Sequence, residues 1–276
     1  YYMFLLMKKI LIIIVLSLLL TSNAIAKHKE TVQMYKEYNY GSNGGDNYKK
    51  LDTKLQDSKL SKFVEKQMKN RKKTGLVNYV LFENGKIVID QNNYNEEIIK
   101  NNGLLRSNSM GKSLVAYVVG HGICKGYIDS VNVKLRDWEI LNNTLYADNT
   151  MLQILNMTAG DHKFVGQRNY GNNPVSSDGS IKGSKKNMIQ KNSVAQNMNL
   201  YFRGTKKKKE NSPYNYSAMT THVAINYLIS KFENAQEYEK FLTEIFRDHV
   251  GIKDRVSFLK TSWSSADFNE GNSRFT

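Results

Sequence analysis

The chain has 276 residues, 40% of them hydrophobic and 24% charged, with two prolines and one cysteine. Those proportions exclude a disordered, collagen-like or disulfide-stapled chain, and the length allows one large domain or two intertwined subdomains with a real core. The formal net charge of +15 favours anionic partners, yet Lys, Asn and Ile are spread through the whole chain and no basic stretch is interleaved with aromatics, which argues against a nucleic-acid surface.

Residues 1–26 read as an export signal, with the start at Met7 or Met3. Lys8-Lys9 are its basic region, Ile10 to Leu20 an apolar run broken only by Ser17, and Ala24-Ile25-Ala26 a small-x-small cleavage site. The run is too short to span a bilayer comfortably, and no cysteine follows it for lipoprotein processing. A mature chain from Lys27 is expected, periplasmic or secreted, with no stable membrane span after cleavage. Cys124 has no partner for an intrachain disulfide and reads as a buried core thiol.

Residues 27–50 are polar, include Gly41-Ser42-Asn43-Gly44-Gly45, and read as a flexible lead-in. Residues 51–276 read as a domain. Over 52–70, Leu55, Leu60, Phe63, Val64 and Met68 share one helical face. Residues 75–82 and 86–89 are strand-like, and Glu83-Asn84-Gly85 between them is a hairpin signal. After a polar stretch to Asn102, an apolar helix from Ser109 is expected to bury Met110, Leu114, Val115, Val118, Val119 and Ile123 and to end near Gly126.

A short helix over 150–157 runs into Met157-Thr158-Ala159-Gly160, which reads as a helix end with a glycine cap. From Asp161 to Ser212 the chain is polar, with Lys206 to Lys209 as a solvated loop tip. Residues 217–231 and 235–249 read as helices. The first turns Met219, Val223, Ala224, Tyr227 and Leu228 inward, and the second Tyr238, Phe241, Leu242, Ile245 and Phe246. The tail from Val256 offers two short strands.

The chemistry gathers at Ser109-Met110-Gly111-Lys112. On a helix, Ser and Lys at that spacing lie one turn apart on one face. A lysine there can take the serine proton if burial keeps its amine neutral, which makes a nucleophile without a histidine. The pattern recurs at Ser257-Phe258-Leu259-Lys260, in a stretch that reads as strand and loop, so only context separates the two. Tyr214-Asn215-Tyr216-Ser217 precedes the 217–231 helix, and a tyrosine near a nucleophile and a lysine can relay protons. Either Tyr214 or Tyr216 could be that relay.

The five histidines are scattered without an H-E-x-x-H pair, so no metal site is expected. Asp161-His162 has no G-x-S-x-G elbow to serve. Neither a P-loop nor a G-x-G-x-x-G occurs, and no cofactor is expected.

Taken in order, these pieces resemble the class C β-lactamase-related branch of the penicillin-recognising serine hydrolases. They are the hairpin Val80 to Val88, S-x-S-M-x-K-S (Ser107 to Ser113), G-x-I-D (Gly126 to Asp129), L-x-M-T-x-G (Leu155 to Gly160) and Y-x-Y-S (Tyr214 to Ser217). The Met-Thr-Ala-Gly and Tyr-x-Tyr-Ser forms look most like the 6-aminohexanoate-dimer hydrolase group. The resemblance implies an α+β, β-lactamase/transpeptidase-like fold, with an antiparallel sheet flanked by helices plus a helical subdomain. It also implies Ser109 as acylated nucleophile, Lys112 as its activator and Tyr216 as general base and relay. The backbone N–H of Ser109 would be half of the oxyanion hole. The substrate would be a small amide, lactam, ester or cell-wall peptide.

Two departures go with the likeness. Ala218 stands where the tyrosine motif usually carries Asn, and no K-T-G or H-x-G tripeptide follows Tyr216. Lys73-Thr74-Gly75 spells the former but precedes the serine and reads as coincidence; Ser177-Asp178-Gly179 reads as a turn. A domain truncated before its C-terminal sheet strands, with an impaired site, is therefore expected. The alternative is a non-catalytic remnant or a protein that binds cell-wall peptides.

Overall fold

The computed structural model of the chain describes residues 39–46, 48–94, 108–162, 194–207, 210, 212–260 and 273–275. The expected leader, Ser107, the Ser177-Asp178-Gly179 turn and half of the Lys206 to Lys209 run lie outside the described residues. The elements are β1 (Asn39–Gly41), α1 (Lys59–Lys69), α2 (Arg71–Thr74), β2 (Asn78–Glu83), β3 (Lys86–Asn92), α3 (Gly111–Cys124), α4 (Met151–Leu155), α5 (Val194–Asn197), α6 (Ala218–Ile229), α7 (Ala235–Thr243), β4 (Ser257–Lys260) and β5 (Ser273–Phe275). Helices and small antiparallel sheets are thus mixed. They fall into two units, one within Lys50–Leu105 and the other joining Tyr35–Lys49 to Arg106–Thr276.

In the first unit, Ser58 and Ser61 form a reciprocal capping box that starts α1 at Lys59. The helix expected from 52 therefore begins seven residues later. Residues 52–56 instead run beside β3, with Ile87 N–H donating to Asp52 O and Lys54 and Gln56 N–H to Ile87 and Val88 O. Val64 and Met68 are buried, whereas Leu55, Leu60 and Phe63 are exposed. The five-residue apolar face is thereby reduced to two. The hairpin forms as the Asn-Gly signal dictates: Asn84 (φ 50°) and Gly85 (φ 79°) take the left-handed conformations of a tight hairpin turn, and Glu83 pairs with Lys86. Lys73-Thr74-Gly75 is the end of α2 with Gly75 as its left-handed cap, and β2 begins only at Asn78.

The second unit is built round α6. Every residue from Met219 to Ile229 is buried, so this helix is apolar all round and needs neighbours on every side. It packs against α3, α4 and α5. Ser217 caps it, accepting from the Met219 N–H. On α3 the buried stripe is Val115, Val118, Val119 and Gly122, at the three-to-four spacing of one helical face. Met110 lies ahead of that stripe and is 74% exposed, and Cys124 lies off it and is exposed. Both were expected in the core. Leu114 and Ile123 are half-buried at its margins. On α7, Tyr238, Phe241 and Leu242 are buried, followed by Ile245 and Phe246 in the π-helical continuation Glu244–His249.

The stretch read as a flexible lead-in is buried at Tyr40, Gly41 and Ser42 and held by backbone bonds beyond them. Asn39–Gly41 pairs antiparallel with β4, which pairs with β5, in the strand order β1-β4-β5. The glycines are there for close approach: a Cβ on Gly41 would lie 2.8 Å from Val256 O, and one on Gly44 2.7 Å from Lys253 O. Ser42 N–H donates to Val256 O, and Gly45 N–H to Lys253 O.

Candidate active site

Ser109 sits in a 3-10 turn, Asn108–Met110, that leads straight into α3. Ser109 and Met110 are exposed, and Lys112 in the first helical turn is half-buried. Lys112 Nζ lies 3.4 Å from Ser109 Oγ. From the other side the Tyr216 hydroxyl lies 2.5 Å from the same Oγ. The ammonium is also 4.9 Å from the centre of the Tyr216 ring. Hydroxyl protons rotate, so the short O···O contact serves a bond in either direction. Its length is at the short end of the O–H···O range. The Ser109 bond holds the Tyr216 phenol below its ordinary range; burial opposes this, and the bond and positive charge of Lys112 add to it. The three residues expected to share a site are thus brought together within the second unit. Tyr214, left open as the relay, is 66% exposed, and Tyr216 is the tyrosine at Ser109.

Tyr216 reaches this place because its loop is tied to the end of α4. Thr150 and Gln153 cap that helix reciprocally. Its C-cap is Asn156, and the left-handed residue that follows is Met157 (φ 56°). Gly160 is left-handed too (φ 83°), but further on; a Cβ there would lie 2.8 Å from Ser212 Oγ. The Met157 carbonyl accepts from Asn215 N–H at 2.8 Å. Farther along the loop, Gln153 Nε2 donates to Glu210 O and Lys207 Nζ donates to Gln153 Oε1.

Beneath the loop lies Asp161, which the sequence offered only as half of an Asp161-His162 pair without an elbow to serve. Asp161 is fully buried; its Oδ1 accepts from Asn215 Nδ2 and its Oδ2 from the Tyr146 hydroxyl, each at 2.8 Å. Burial pushes its carboxyl up to about 6, against the lowering effect of the Asn215 and Tyr146 bonds. The signal was present in the sequence, since Asp161 directly follows Met-Thr-Ala-Gly and Asn215 sits between two tyrosines.

The second tetrad is placed differently. Ser257 and Lys260 lie in β4, within the ladder. Of the histidines, His121 stacks on His249 at 6.0 Å and His222 is buried in α6. Among the described residues no cluster of three or more His, Cys, Asp or Glu side chains could hold a metal ion. None of their helices is long and apolar enough to cross a membrane.

No protein-family profile matches the chain, and no curated protein matches it. Solved structures do. One is a Bacillus anthracis protein described as a "putative 6-aminohexanoate-dimer hydrolase", 12% identical, with a TM-score of 0.49 over 86% of this chain and 62% of that one. The chain therefore spans less than two thirds of that protein's length.

Proposed function

We propose that this chain is a serine hydrolase of the β-lactamase-related kind, with the corresponding fold, acting on an amide, lactam or ester through an acyl-enzyme on Ser109. The observation that carries the proposal is the Ser109 hydroxyl held between Lys112 Nζ and the Tyr216 phenol oxygen. The order of the sequence motifs supports the family reading, and the Met-Thr-Ala-Gly and Tyr-x-Tyr-Ser forms favour the 6-aminohexanoate-dimer hydrolase-like branch.

Each residue has one task. Tyr216, as phenolate, takes the Ser109 proton while Oγ bonds to the substrate carbonyl carbon. Lys112 stabilises that phenolate, and its charge, with the amide N–H groups opening α3, favours the negative oxygen that develops. The phenol then returns the proton to the leaving amine or alcohol as the carbonyl re-forms and the scissile bond breaks. Water, deprotonated by the same phenolate, attacks the ester carbonyl carbon. The acyl C–Oγ bond breaks as the phenol returns the proton to Ser109 Oγ, leaving a carboxylic acid product and the starting phenolate. Residues 8–26 support export, so an extracytoplasmic amide, ester or wall peptide is the substrate class.

Intact-mass analysis after exposure to a fluorophosphonate, and separately to a penicillin, tests this reading. One adduct, mapped to Ser109 and absent in Ser109→Ala, is expected. An unmodified chain, or an adduct elsewhere, sinks it. A full equivalent of adduct also contradicts the expectation of an incomplete site. The mass of the protein recovered from periplasm or medium tests export, with Lys27 expected as its first residue.

A further inference from the structure

Asp161 is a costly residue to keep. Its side chain is enclosed, both oxygens are engaged by neutral donors, and no ion pair to it occurs among the described residues. An isolated carboxylate in such a place is disfavoured unless its bonds do something that an apolar side chain could not. What they do is fix Asn215. That residue is held twice, by its side chain to Asp161 and by its backbone N–H to Met157 O. On the far side of Tyr216, the Ser217 side chain caps α6. Tyr216 therefore hangs between two anchors, and its backbone has little freedom to swing the phenol away from Ser109. The Gly160–Ser212 approach brings the same two segments together a second time.

We propose that Asp161 is a positioning residue for Tyr216, acting through Asn215 to hold the phenol against Ser109. This rests on the reading of Ser109, Lys112 and Tyr216 as an acyl-transfer site. Tyr146, the other donor to Asp161, bonds to Oδ2 and not to the Oδ1 that holds Asn215, so its bond is assigned to stability.

Three variants of the full chain separate positioning from stability: Asn215→Ala, Asp161→Asn and Tyr146→Phe. Three readouts are compared for each: melting temperature, the rate of fluorophosphonate labelling, and the ionisation of Tyr216. The last is read from tyrosinate absorbance after subtracting the same protein carrying Tyr216→Phe. Asn215→Ala is expected to slow labelling about a hundredfold, the scale of an ångström's misplacement, and to move the Tyr216 ionisation up toward an ordinary phenol. Asp161→Asn keeps an oxygen that accepts from Asn215, and is expected to retain most of both properties. Tyr146→Phe is expected to lower the melting temperature and leave the Tyr216 ionisation unmoved.

Two results overturn the proposal. One is Tyr216 ionising at the same pH in Asn215→Ala as in the parent. The other is labelling lost in Asn215→Ala and Tyr146→Phe in proportion to melting temperature. If the parent takes no label, the acyl-transfer reading fails, and the Tyr216 ionisation alone decides the positioning claim.

Discussion

Ser109–Lys112 and Ser257–Lys260 spell the same pattern and fold into different things. The first straddles a 3-10 turn and the first turn of α3, where a spacing of three closes a turn and brings Nζ within 3.4 Å of Oγ. The second lies in β4, paired with β1 on one side and β5 on the other. On a strand a spacing of three is odd and does not close a turn. Ser257 is buried, and Phe258 beside it is part of the core. The chemistry of the pattern thus depends on the period of the backbone beneath it, and on whether a third group arrives. Only the first tetrad has Tyr216.

The sharpest way to break this contrast is to delete each serine. Ser109→Ala is expected to abolish covalent labelling, and Ser257→Ala to leave its rate unchanged; equal losses would end the distinction. Next comes Lys112→Ala, expected to slow labelling roughly a thousandfold, because the Tyr216 phenolate and the developing oxyanion both lose the charge beside them. Tyr216→Phe follows, with a loss of about a hundredfold. It should also remove a pH limb. The parent's labelling rate rises with pH as the phenol ionises, and levels off at a lower pH than an ordinary tyrosine would give, since the phenol is held below its usual range. A parent and a Tyr216→Phe variant with parallel pH–rate profiles would assign the proton transfer to another group.

Much of this contrast was legible beforehand, for reasons that differ by element. Asn84-Gly85 fixed the hairpin, because few other pairs reach two successive left-handed conformations. The 3.6-residue apolar period after Ser109 marked α3, whereas position before α6 left Tyr214 and Tyr216 both open, and only the resemblance singled out Tyr216. Three readings failed where a local pattern met a tertiary neighbour. Glycines 41 and 44 read as flexible, since a sequence does not show which backbone will press against them. Cys124 read as core because apolar neighbours do not say which face a helix buries. Asp161 was set aside with His162 for want of an elbow to serve, because a carboxylate's partners, here Tyr146 and Asn215, lie 15 and 54 residues away.

That buried carboxylate makes the ground under the first tetrad pH-sensitive, and a smaller effect sharpens the contrast. Folded, Asp161 keeps its proton up to about pH 6; unfolded, it releases it near 3.8, as an ordinary aspartate does. The folded state binds the extra proton between those values. The stability this supplies is fully present below the unfolded pKa and is lost as pH rises through the folded one, by about 3 kcal/mol. Urea unfolding of the parent and Asp161→Asn at acid and neutral pH checks it. The parent should lose about that much relative to the variant across the interval. A constant difference between the two would mean that Asp161 ionises alike in both states.

The smallest effects concern the helix that carries the first tetrad. Gly120 and Gly122 are two residues apart on α3 and face different surroundings. A Cβ on Gly122 would lie 2.5 Å from Leu228 Cδ1, and Leu228 is fully buried in α6 with little room to turn. Gly122→Ala must therefore push α3 and α6 apart or force Leu228 off its rotamer, at a cost of about 1 kcal/mol or more. A Cβ on Gly120 would meet nothing within 4 Å. Gly120→Ala therefore only removes backbone freedom from the unfolded chain, and should stabilise by about 0.5 to 1 kcal/mol. Thermal melts of the two variants should move in opposite directions. Ser109 and Tyr216 stand at the starts of these same helices, so Gly122→Ala should also slow labelling while Gly120→Ala leaves it alone. If Gly122→Ala melts lower yet labels at the parent's rate, then the turn at Ser109 is held by its local contacts with Lys112 and Tyr216, and not by the packing of α3 on α6.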